Sequence, residues 1–296
     1  MTESSFIKST AAAGDVYIFK PAQSEEHRRL EIQHNALEQL MFGKLVHAPV
    51  DKHARRVLDI GCGTGATTTR LAKDFPDARI VGLDQAAVPP IHPKPENVEY
   101  IQGRFDELAS QGHDTLQPGS FDLIFARALV LGVQDWQRHL VYCFELLAPG
   151  GYLECHEPSV FVHYSAASPN TPIDQDWKWP HRVHARALKN FSIDLRVGEK
   201  LSTLLPAAGL EAVETEIYPF VLYPWPEKPE TQAQGEYFWE YAPQINRGAI
   251  EYYCQGDFGP EEIKEMQLES DQTAFKGDIV GMHNRVYVTF GHKVQN

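Results

Sequence analysis

The stretch VLDIGCGTGATTTRLAKDFPDARIVGLD, Val57 to Asp84, contains a run of three glycines at alternate positions and ends on an acidic residue. Gly61, Gly63 and Gly65 follow a short apolar run at alternate positions, where they let the backbone bend sharply and let a ligand lie against it. Asp84 ends a second apolar run, and a carboxylate there is placed to accept hydrogen bonds from the hydroxyls of a ribose. The stretch therefore predicts one half of a nucleoside-binding site.

Asp59, which precedes the glycines, narrows the choice of nucleoside. In the dinucleotide fingerprint, G-x-G-x-x-G, the helix N-terminus faces a pyrophosphate. Here the glycines follow G-x-G-x-G and a carboxylate stands inside the turn, which repels a pyrophosphate and suits a cationic ligand. A nucleotide-binding unit of another kind, or a βαβ turn without a ligand, is the alternative interpretation.

The same residues carry a resemblance to a known family. The pattern D-x-G-x-G-x-G, which starts at Asp59, resembles the first motif of the class I S-adenosylmethionine-dependent methyltransferases. The resemblance implies an α/β fold with a doubly wound, mostly parallel seven-stranded sheet, the Rossmann-like methyltransferase fold, with an N-terminal helix and a helical cap. It also implies S-adenosyl-L-methionine as the cofactor, with its amino-acid part at the glycine turn and its ribose at Asp84.

From about residue 14 to residue 160 the chain resembles a narrower group, the LaeA-like methyltransferases of fungal secondary metabolism, which includes a regulator and many pathway enzymes. The residues that carry this resemblance are Tyr17, Glu26, Arg29, Leu30, Gln33, His34, VLDIGCGTG, VGLD, FDLIFAR, Asp135-Trp136 and PGGYLE. Together with the strand ends, the resemblance predicts these cofactor contacts: Tyr17, Asp59, Gly61, Gly63, Gly65, Asp84, Gln85, Gly103, Arg104, Phe105 and Arg127.

One departure from the class I pattern concerns the adenine. Many enzymes of the class carry an acid shortly after the third strand, where it binds the adenine amino group, but Arg104 stands in that place here. We therefore expect adenine recognition to use Asp106, the backbone near Arg104 and the face of Phe105.

The order of apolar segments predicts the architecture independently. Strands are predicted at 56–60, 79–83, 97–102, 120–126 and after Pro149, with helices at 67–75 and 135–147 between them. Such alternation indicates a parallel, doubly wound sheet, whose ligands lie beyond the carboxyl ends of the strands. We predict a flexible N-terminus over 1–15 and a single methyltransferase domain over 16–296. Within that domain we predict a lid helix at about 24–46 and substrate-cap segments at about 160–190 and 224–284.

Histidines are the candidate catalytic bases. A hydroxyl acceptor needs a base, whereas a carboxylic acid is already ionised at neutral pH. His156 is the first candidate because it follows the fifth strand, and His34 is the second because it shares a helix face with Leu30 and Leu37. His163, His181 and His184 form a third set on a predicted lid, and Glu157 either orients a histidine or meets solvent. The alternative for each histidine is packing. No metal site is predicted.

Composition limits the partners. The formal net charge of −13 and the pI of about 5.4 argue against a nucleic-acid partner, which would need phosphate neutralisation by Lys and Arg. The four cysteines form no CxxC pair, and the first residues lack the apolar core of a secretory signal. No apolar run is long enough to span a bilayer, so we expect a cytoplasmic protein without a membrane partner. The oligomeric state stays open.

Three functional classes fit these observations. The first is a methyltransferase that acts on a small secondary metabolite, for which we expect O-methylation. The second is a LaeA-like regulatory methyltransferase that works through protein partners. The third is a non-methylating enzyme, a dehydratase or pericyclase, that uses the cofactor's sulfonium charge. Aromatic residues concentrate at 160–190 and 218–241, which predicts an apolar or aromatic acceptor, although such residues also pack caps onto sheets.

Overall fold

Parallel strands with buried side chains on both faces form the centre of the molecule, in a computed structural model that describes residues 7–8, 16–164, 171–172, 177–225, 228–274 and 282–295. The order in the sheet is β3-β2-β1-β4-β5-β8-β7, and the short β6 pairs with β5 off this path. The strands are β1 (Arg56–Ile60), β2 (Arg79–Asp84), β3 (Val98–Gln102), β4 (Phe121–Arg127), β5 (Leu147–Tyr164), β6 (Thr171–Pro172), β7 (Glu211–Val221) and β8 (Met282–His292). In this order, the five strands β3, β2, β1, β4 and β5 pair in parallel, each with the next. Strand β8 runs antiparallel to both of its neighbours, β5 and β7. This confirms the predicted doubly wound, mostly parallel sheet.

Helices cover both faces of the sheet, as buried parallel strands require. They are α1 (Ser24–Leu40), α2 (Ala66–Asp74), α3 (Phe105–Ser110), α4 (Trp136–Leu146), α5 (Lys178–Phe191), α6 (Leu201–Ala207), α7 (Gln232–Cys254) and α8 (Pro260–Ala274). Leu58 and Ile124 belong to the core on one side of the sheet, and Val57 and Phe125 to the core on the other. The central strands are thus held from both sides and present only their ends to a ligand.

Two predicted boundaries were wrong. The lid helix ends at Leu40 rather than near residue 46, because Phe42 and Gly43 take φ values of 51° and 76°, which no α-helix allows. In the predicted flexible N-terminus, Ile7 is buried and its backbone forms an antiparallel β-bridge with Phe19. The Ile7 side chain packs against α7 at Gly248, where the absence of a Cβ leaves room for it. The other residues of 1–15, except Lys8, lie outside the described part of the chain.

The sheet brings the predicted strand-end residues to one edge. Asp84 pairs with Gln102 at the ends of β2 and β3, and Arg127 pairs with His156 along β4 and β5. Because parallel strands end on the same side, residues that are distant in the chain, such as Ile60 and Ala126, become neighbours there. Within the described residues, no helix combines the length and the apolarity needed to cross a membrane.

Candidate active site

A cavity of about 380 Å³ opens at the carboxyl edge of the sheet, under α1 and between α5 and α7. Its lining contains both catalytic candidates and all but one of the predicted cofactor residues: Tyr17, His34, Asp59, Gly61, Gly63, Asp84, Gln85, Gly103, Arg104, Phe105, Arg127 and His156. The exception is Gly65, which is not part of the lining. Its φ is +82°, and a Cβ there would lie 2.5 Å from the Tyr100 hydroxyl. Gly65 therefore supports the turn from behind.

The glycine turn is built so that backbone, not side chains, faces the cavity. Gly61 and Gly63 have φ values of +70° and +55°, in the region that L side chains avoid. A Cβ at Gly61 would come within 2.3 Å of Leu129 Cδ2, and one at Gly63 within 3.2 Å of Leu30 Cδ1. The turn thus combines a left-handed backbone with close approach, which are the two reasons for glycine at these positions.

Asp84 closes the turn from the neighbouring strand. Its Oδ2 accepts a hydrogen bond from the Gly63 amide and its Oδ1 accepts one from the Ala86 amide, each at 2.9 Å. Burial raises the pKa of Asp84, and the two amides oppose that rise. Each carboxylate oxygen keeps acceptor capacity beyond one amide, so the group can still receive two hydroxyls.

Asp59 is buried below the surface of the cavity rather than exposed in it. It is 2% exposed and accepts a 2.6 Å hydrogen bond from the Thr68 hydroxyl at the start of α2. Burial raises its pKa to about 7, against the effects of Thr68 and Arg127. The carboxyl group ties the turn to α2, and a cationic ligand nearby would favour its charged form.

At the predicted adenine end, Asp106 is held in place by a neighbour. Asp106 Oδ1 lies 2.9 Å from Nδ1 of His139, whose ring packs against Phe105 with centroids 4.9 Å apart. Arg104 also lines the cavity, and its Nε lies 3.3 Å from Glu107 Oε1. An acid, an aromatic face and backbone groups therefore meet at this end, as expected.

A buried ionic network joins α1 to α7 above the cavity. Arg29 donates to both carboxylate oxygens of Glu26, at 2.7 and 2.8 Å, and its Nη1 donates to the Tyr237 hydroxyl at 2.7 Å. The Tyr17 hydroxyl donates to Glu26 Oε1 at 2.9 Å. Buried charges persist only when paired and hydrogen-bonded, and this bidentate pair meets that requirement. Residues that carried the LaeA-like resemblance thus fasten the lid helix to the cap.

The lone pair of His34 Nδ1 is occupied by a hydrogen bond, so it is not available as a base. Arg127 Nη2 donates to His34 Nδ1 at 2.7 Å and also to the Thr67 hydroxyl. Burial, and then the charge of Arg127, lower the pKa of His34 to about 3, so the ring is neutral. Arg127 is thus a half-buried cation whose two hydrogen-bond partners, His34 and Thr67, are neutral. The nearby carboxyls of Asp59 and Glu38 favour its charged form, and the guanidinium can still pair with an anionic group in the cavity.

His156 keeps a free ring nitrogen. Its Nε2 lies 2.6 Å from Glu154 Oε1, and its buried Nδ1 has no hydrogen-bond partner among the described residues. Burial lowers the pKa of His156, although the adjacent Glu154 raises it. Of the two predicted bases, His156 therefore retains a lone pair and His34 does not.

Glu157 has neither of its expected roles. It is fully buried and accepts the amides of Leu129 and Val130 at 2.8 and 2.9 Å, which fastens the cavity-lining loop after β4. Burial raises its pKa to about 8.

The lid histidines also lie elsewhere than expected. The rings of His181 and His184 contact Phe161, and neither residue lines the cavity. The His163 side chain lies outside the described part.

The other half of the cavity is apolar. Aromatic and aliphatic side chains from α5, α7, β7 and β8 line it: Trp177, Trp179, Val183, Phe220, Leu222, Tyr237, Phe238, Ala242, Ile245 and Val286. Asn246 and Asn284 add neutral polar groups, and the buried Oδ1 of Asn284 has no hydrogen-bond partner among the described residues. The sequence analysis missed Asn284, whose one signal is a polar residue at the start of an apolar strand.

Comparison with known proteins adds the following. A family model described as a methyltransferase domain matches residues 25–215. Methyltransferase str3 of Strobilurus tenacellus is 30% identical over 75% of this chain and 76% of that protein. Methyltransferase pytC of Aspergillus terreus is 27% identical over 73% of this chain and 64% of that protein. The protein-methionine methyltransferase laeA of Emericella nidulans is 34% identical over 46% of this chain and 35% of that protein. The chain thus spans most of the first relative but less than two thirds of the other two.

Proposed function

The chain belongs to the methyltransferase-domain family and is an S-adenosylmethionine-dependent methyltransferase, and from that premise we propose that it methylates a hydroxyl oxygen of an uncharged, apolar or aromatic small molecule. The observation that carries the proposal is the continuity of one cavity from the glycine turn to an aromatic half. In that aromatic half the lining side chains that carry polar groups are uncharged: Asn246, Asn284, Trp177, Trp179, Tyr237 and Tyr253. An acceptor with a fused ring and one hydroxyl group suits such a lining.

The residues of the cofactor half fit S-adenosylmethionine chemically. Asp84 would hold the ribose hydroxyls, and Arg127, whose hydrogen-bond partners His34 and Thr67 are neutral, would hold the carboxylate of the amino-acid part. Phe105 and Asp106 would bind the adenine, and Tyr17 and Gln85 would close the site. When bound, the cofactor supplies an electrophilic methyl group on a sulfonium centre.

The chain's own contribution to the reaction is alignment and proton removal. The aromatic half would hold the acceptor ring, and Asn284 would bind a polar group of the acceptor through its unpaired Oδ1. His156 Nδ1 would take the hydroxyl proton, since it carries the lone pair that His34 lacks. Orientation inside a closed, water-poor cavity supplies much of the rate in such displacements.

A protein acceptor is the second candidate, because one relative is named a protein-methionine methyltransferase. The buried aromatic lining of the cavity favours a small molecule over a peptide backbone, which would need hydrogen-bond partners along its length.

Methyl-labelled S-adenosylmethionine separates these functions. We would incubate the protein with a fungal metabolite extract and, in parallel, with 2-naphthol and 2-naphthoic acid, which share a ring system and differ in the nucleophile. Label in neutral aryl methyl ethers supports the proposal. Label only in protein supports the regulatory alternative, label only in methyl esters supports a carboxylic-acid acceptor, and consumption of a metabolite without label supports the non-methylating class.

A further inference from the structure

A second polar cluster lies behind His156, on the side away from the glycine turn. Glu154, on the same strand, is completely buried. Besides the 2.6 Å contact with His156 Nε2, its carboxylate accepts the amide of Ala48 at 2.7 Å and the amide of His47 at 2.9 Å. Two backbone amides therefore hold the carboxylate in one orientation.

Hydrogen-bond directions in this cluster can be assigned from its outer end. The Tyr218 hydroxyl donates its single proton to Glu216 Oε2 at 2.7 Å, and this bond holds the pKa of Glu216 below its usual range. The Tyr218 oxygen must then accept from His47 Nε2, which lies 2.9 Å away. His47 thus carries a proton on Nε2, and in a neutral ring the lone pair then lies on Nδ1.

This assignment decides which histidine serves Glu154. His47 Nδ1 lies 3.3 Å from Glu154 Oε1, which is long for a charge-assisted hydrogen bond, whereas His156 Nε2 lies at 2.6 Å. The proton between a ring and the carboxylate therefore belongs to His156. A neutral imidazole with its proton on Nε2 has its lone pair on Nδ1, the nitrogen that is free of partners.

We propose that Glu154 is a positioning residue for methyl transfer. It holds His156 in the Nε2–H tautomer, leaves Nδ1 as the base, and stabilises the imidazolium that forms. The His47 amide holds Glu154 in place, and the Tyr218–Glu216 pair holds the His47 ring. The proposal rests on the proposed function. In the reaction the acceptor O–H bond breaks and its proton moves to Nδ1. The new O–CH3 bond forms as the S–CH3 bond breaks, and the electron pair of that bond stays on sulfur.

The carboxylate remains ionised throughout. Burial by itself would raise the pKa of Glu154, but hydrogen bonds, first among them the one with His156, outweigh it and hold the pKa at about 2. A carboxylate of this kind orients an imidazole and stabilises its cation without taking the proton itself. Arg127 on β4 and His47 before β1 also face the His156 ring, and the charge of Arg127 opposes its protonation.

The side chains of His47, Glu154 and His156 offer ligand atoms within 4.8 Å of one another, which is close enough to hold a metal ion. The hydrogen bonds favour the positioning role instead. The 2.6 Å distance from His156 Nε2 to Glu154 Oε1 is that of a charge-assisted hydrogen bond, and two amides already occupy the carboxylate.

Tautomers can be read directly, without any acceptor, from the ring nitrogen resonances of 15N-histidine-labelled protein saturated with S-adenosylhomocysteine. We expect His156 to be protonated on Nε2 and bare on Nδ1, and Glu154→Gln to disturb that signal. Protonation of His156 on Nδ1 would overturn the proposal. So would a stoichiometric metal ion in the purified protein whose removal by a chelator changes the His47 and His156 resonances.

Kinetics with 2-naphthol test the role in catalysis. Glu154→Gln should lower kcat about a hundredfold, with little change in KM. It should also move the acid limb of the pH profile to lower pH, because loss of the anion lowers the pKa of His156. Tyr218→Phe keeps the ring and removes the hydroxyl, which is the acceptor of His47 and the donor to the exposed Glu216. It should lower kcat about fivefold, which corresponds to one net hydrogen bond. Tyr142→Phe, a surface tyrosine on α4, is the control.

Unchanged kcat and pH profile in a folded Glu154→Gln protein would overturn the proposal. If Glu154→Gln does not fold, Tyr218→Phe decides, and equal kcat in Tyr218→Phe and Tyr142→Phe would overturn it. If the wild-type protein methylates no hydroxyl acceptor, the proposed function fails and the positioning role in methyl transfer fails with it. The resonances still show whether the tautomer was assigned correctly, which separates the two failures.

Discussion

The two halves of the cavity are built by different means. In the cofactor half, backbone turns and strand ends form the lining, and Asp84 is held by amides of the glycine turn and of the following residue. In the aromatic half, the lining comes from side chains of α5, α7, β7 and β8, which are far apart in the chain. A site made of local backbone needs particular residues at particular positions, whereas a site made of packed side chains needs only suitable volume and polarity.

The largest effect should come from breaking the backbone of the cofactor half. Gly63→Val puts a branched side chain at a φ of +55° in the cavity lining, so we expect S-adenosylmethionine binding to fall below detection by calorimetry. Gly112→Val is the matched control, because Gly112 also has a positive φ, of +68°, but a Cβ there meets open space. Equal cofactor affinity in both folded variants would contradict the close approach of the cofactor to Gly63.

Removal of the ribose carboxylate should have the next largest effect. Asp84→Ala loses a charge-assisted hydrogen bond to the cofactor and should weaken binding by about 1.5–3 kcal/mol. Asp122→Ala is a suitable control, since Asp122 also accepts two backbone amides, of Arg55 and Arg56, but does not line the cavity. If calorimetry shows the same affinity for both variants, Asp84 only supports the turn.

A substitution in the aromatic half should change the KM for the acceptor and leave the affinity for the cofactor unchanged. Asn284→Leu replaces the unpaired Oδ1 by methyl groups of similar size, so we expect the KM for a hydroxylated acceptor to rise about tenfold. Cofactor affinity, measured on the same protein, should stay unchanged because Asn284 lies on β8, away from the glycine turn. A parallel loss of cofactor affinity would mean that the two halves are not separable.

The smallest effect concerns the loop fastened by Glu157, and it appears in stability. Burial raises the pKa of Glu157 from 4.5 to about 8 in the folded protein. The contribution of Glu157 to stability is therefore complete below about pH 4.5 and is lost as the pH rises through 8. We expect Tm to fall over this range, and Glu157→Gln to reduce that fall by on the order of 3 °C. Identical pH dependence in both proteins would contradict a buried, neutral Glu157.

The cofactor half was predictable because its constraints are local. Asp59, Gly61, Gly63 and Asp84 lie within one strand-turn-helix-strand unit, and each is needed there for a backbone angle or a hydrogen bond. Gly65 was placed in the right turn but given the wrong contact, since a positive φ does not reveal which side of the backbone faces a ligand.

The aromatic half was predictable only in character. Composition indicated an apolar lining, but the sequence analysis gave only a cap segment at about 224–284. Pro243 and Gly248 interrupt the helical pattern there, and yet α7 runs unbroken over 23 residues. Packing against α1 and α5 outweighs the local cost of those residues.

The sequence by itself determined the fold class, the cofactor turn and the strand ends that meet in the cavity, since periodicity and glycine geometry act between near neighbours in the chain. Only the tertiary structure decided what each histidine can do. His34 and His156 are both cavity-lining histidines, yet His34 Nδ1 accepts a hydrogen bond from Arg127, whereas His156 Nε2 donates one to Glu154. The protonation state of an imidazole depends on partners that the fold brings from distant segments, and the order of residues does not record which partner arrives.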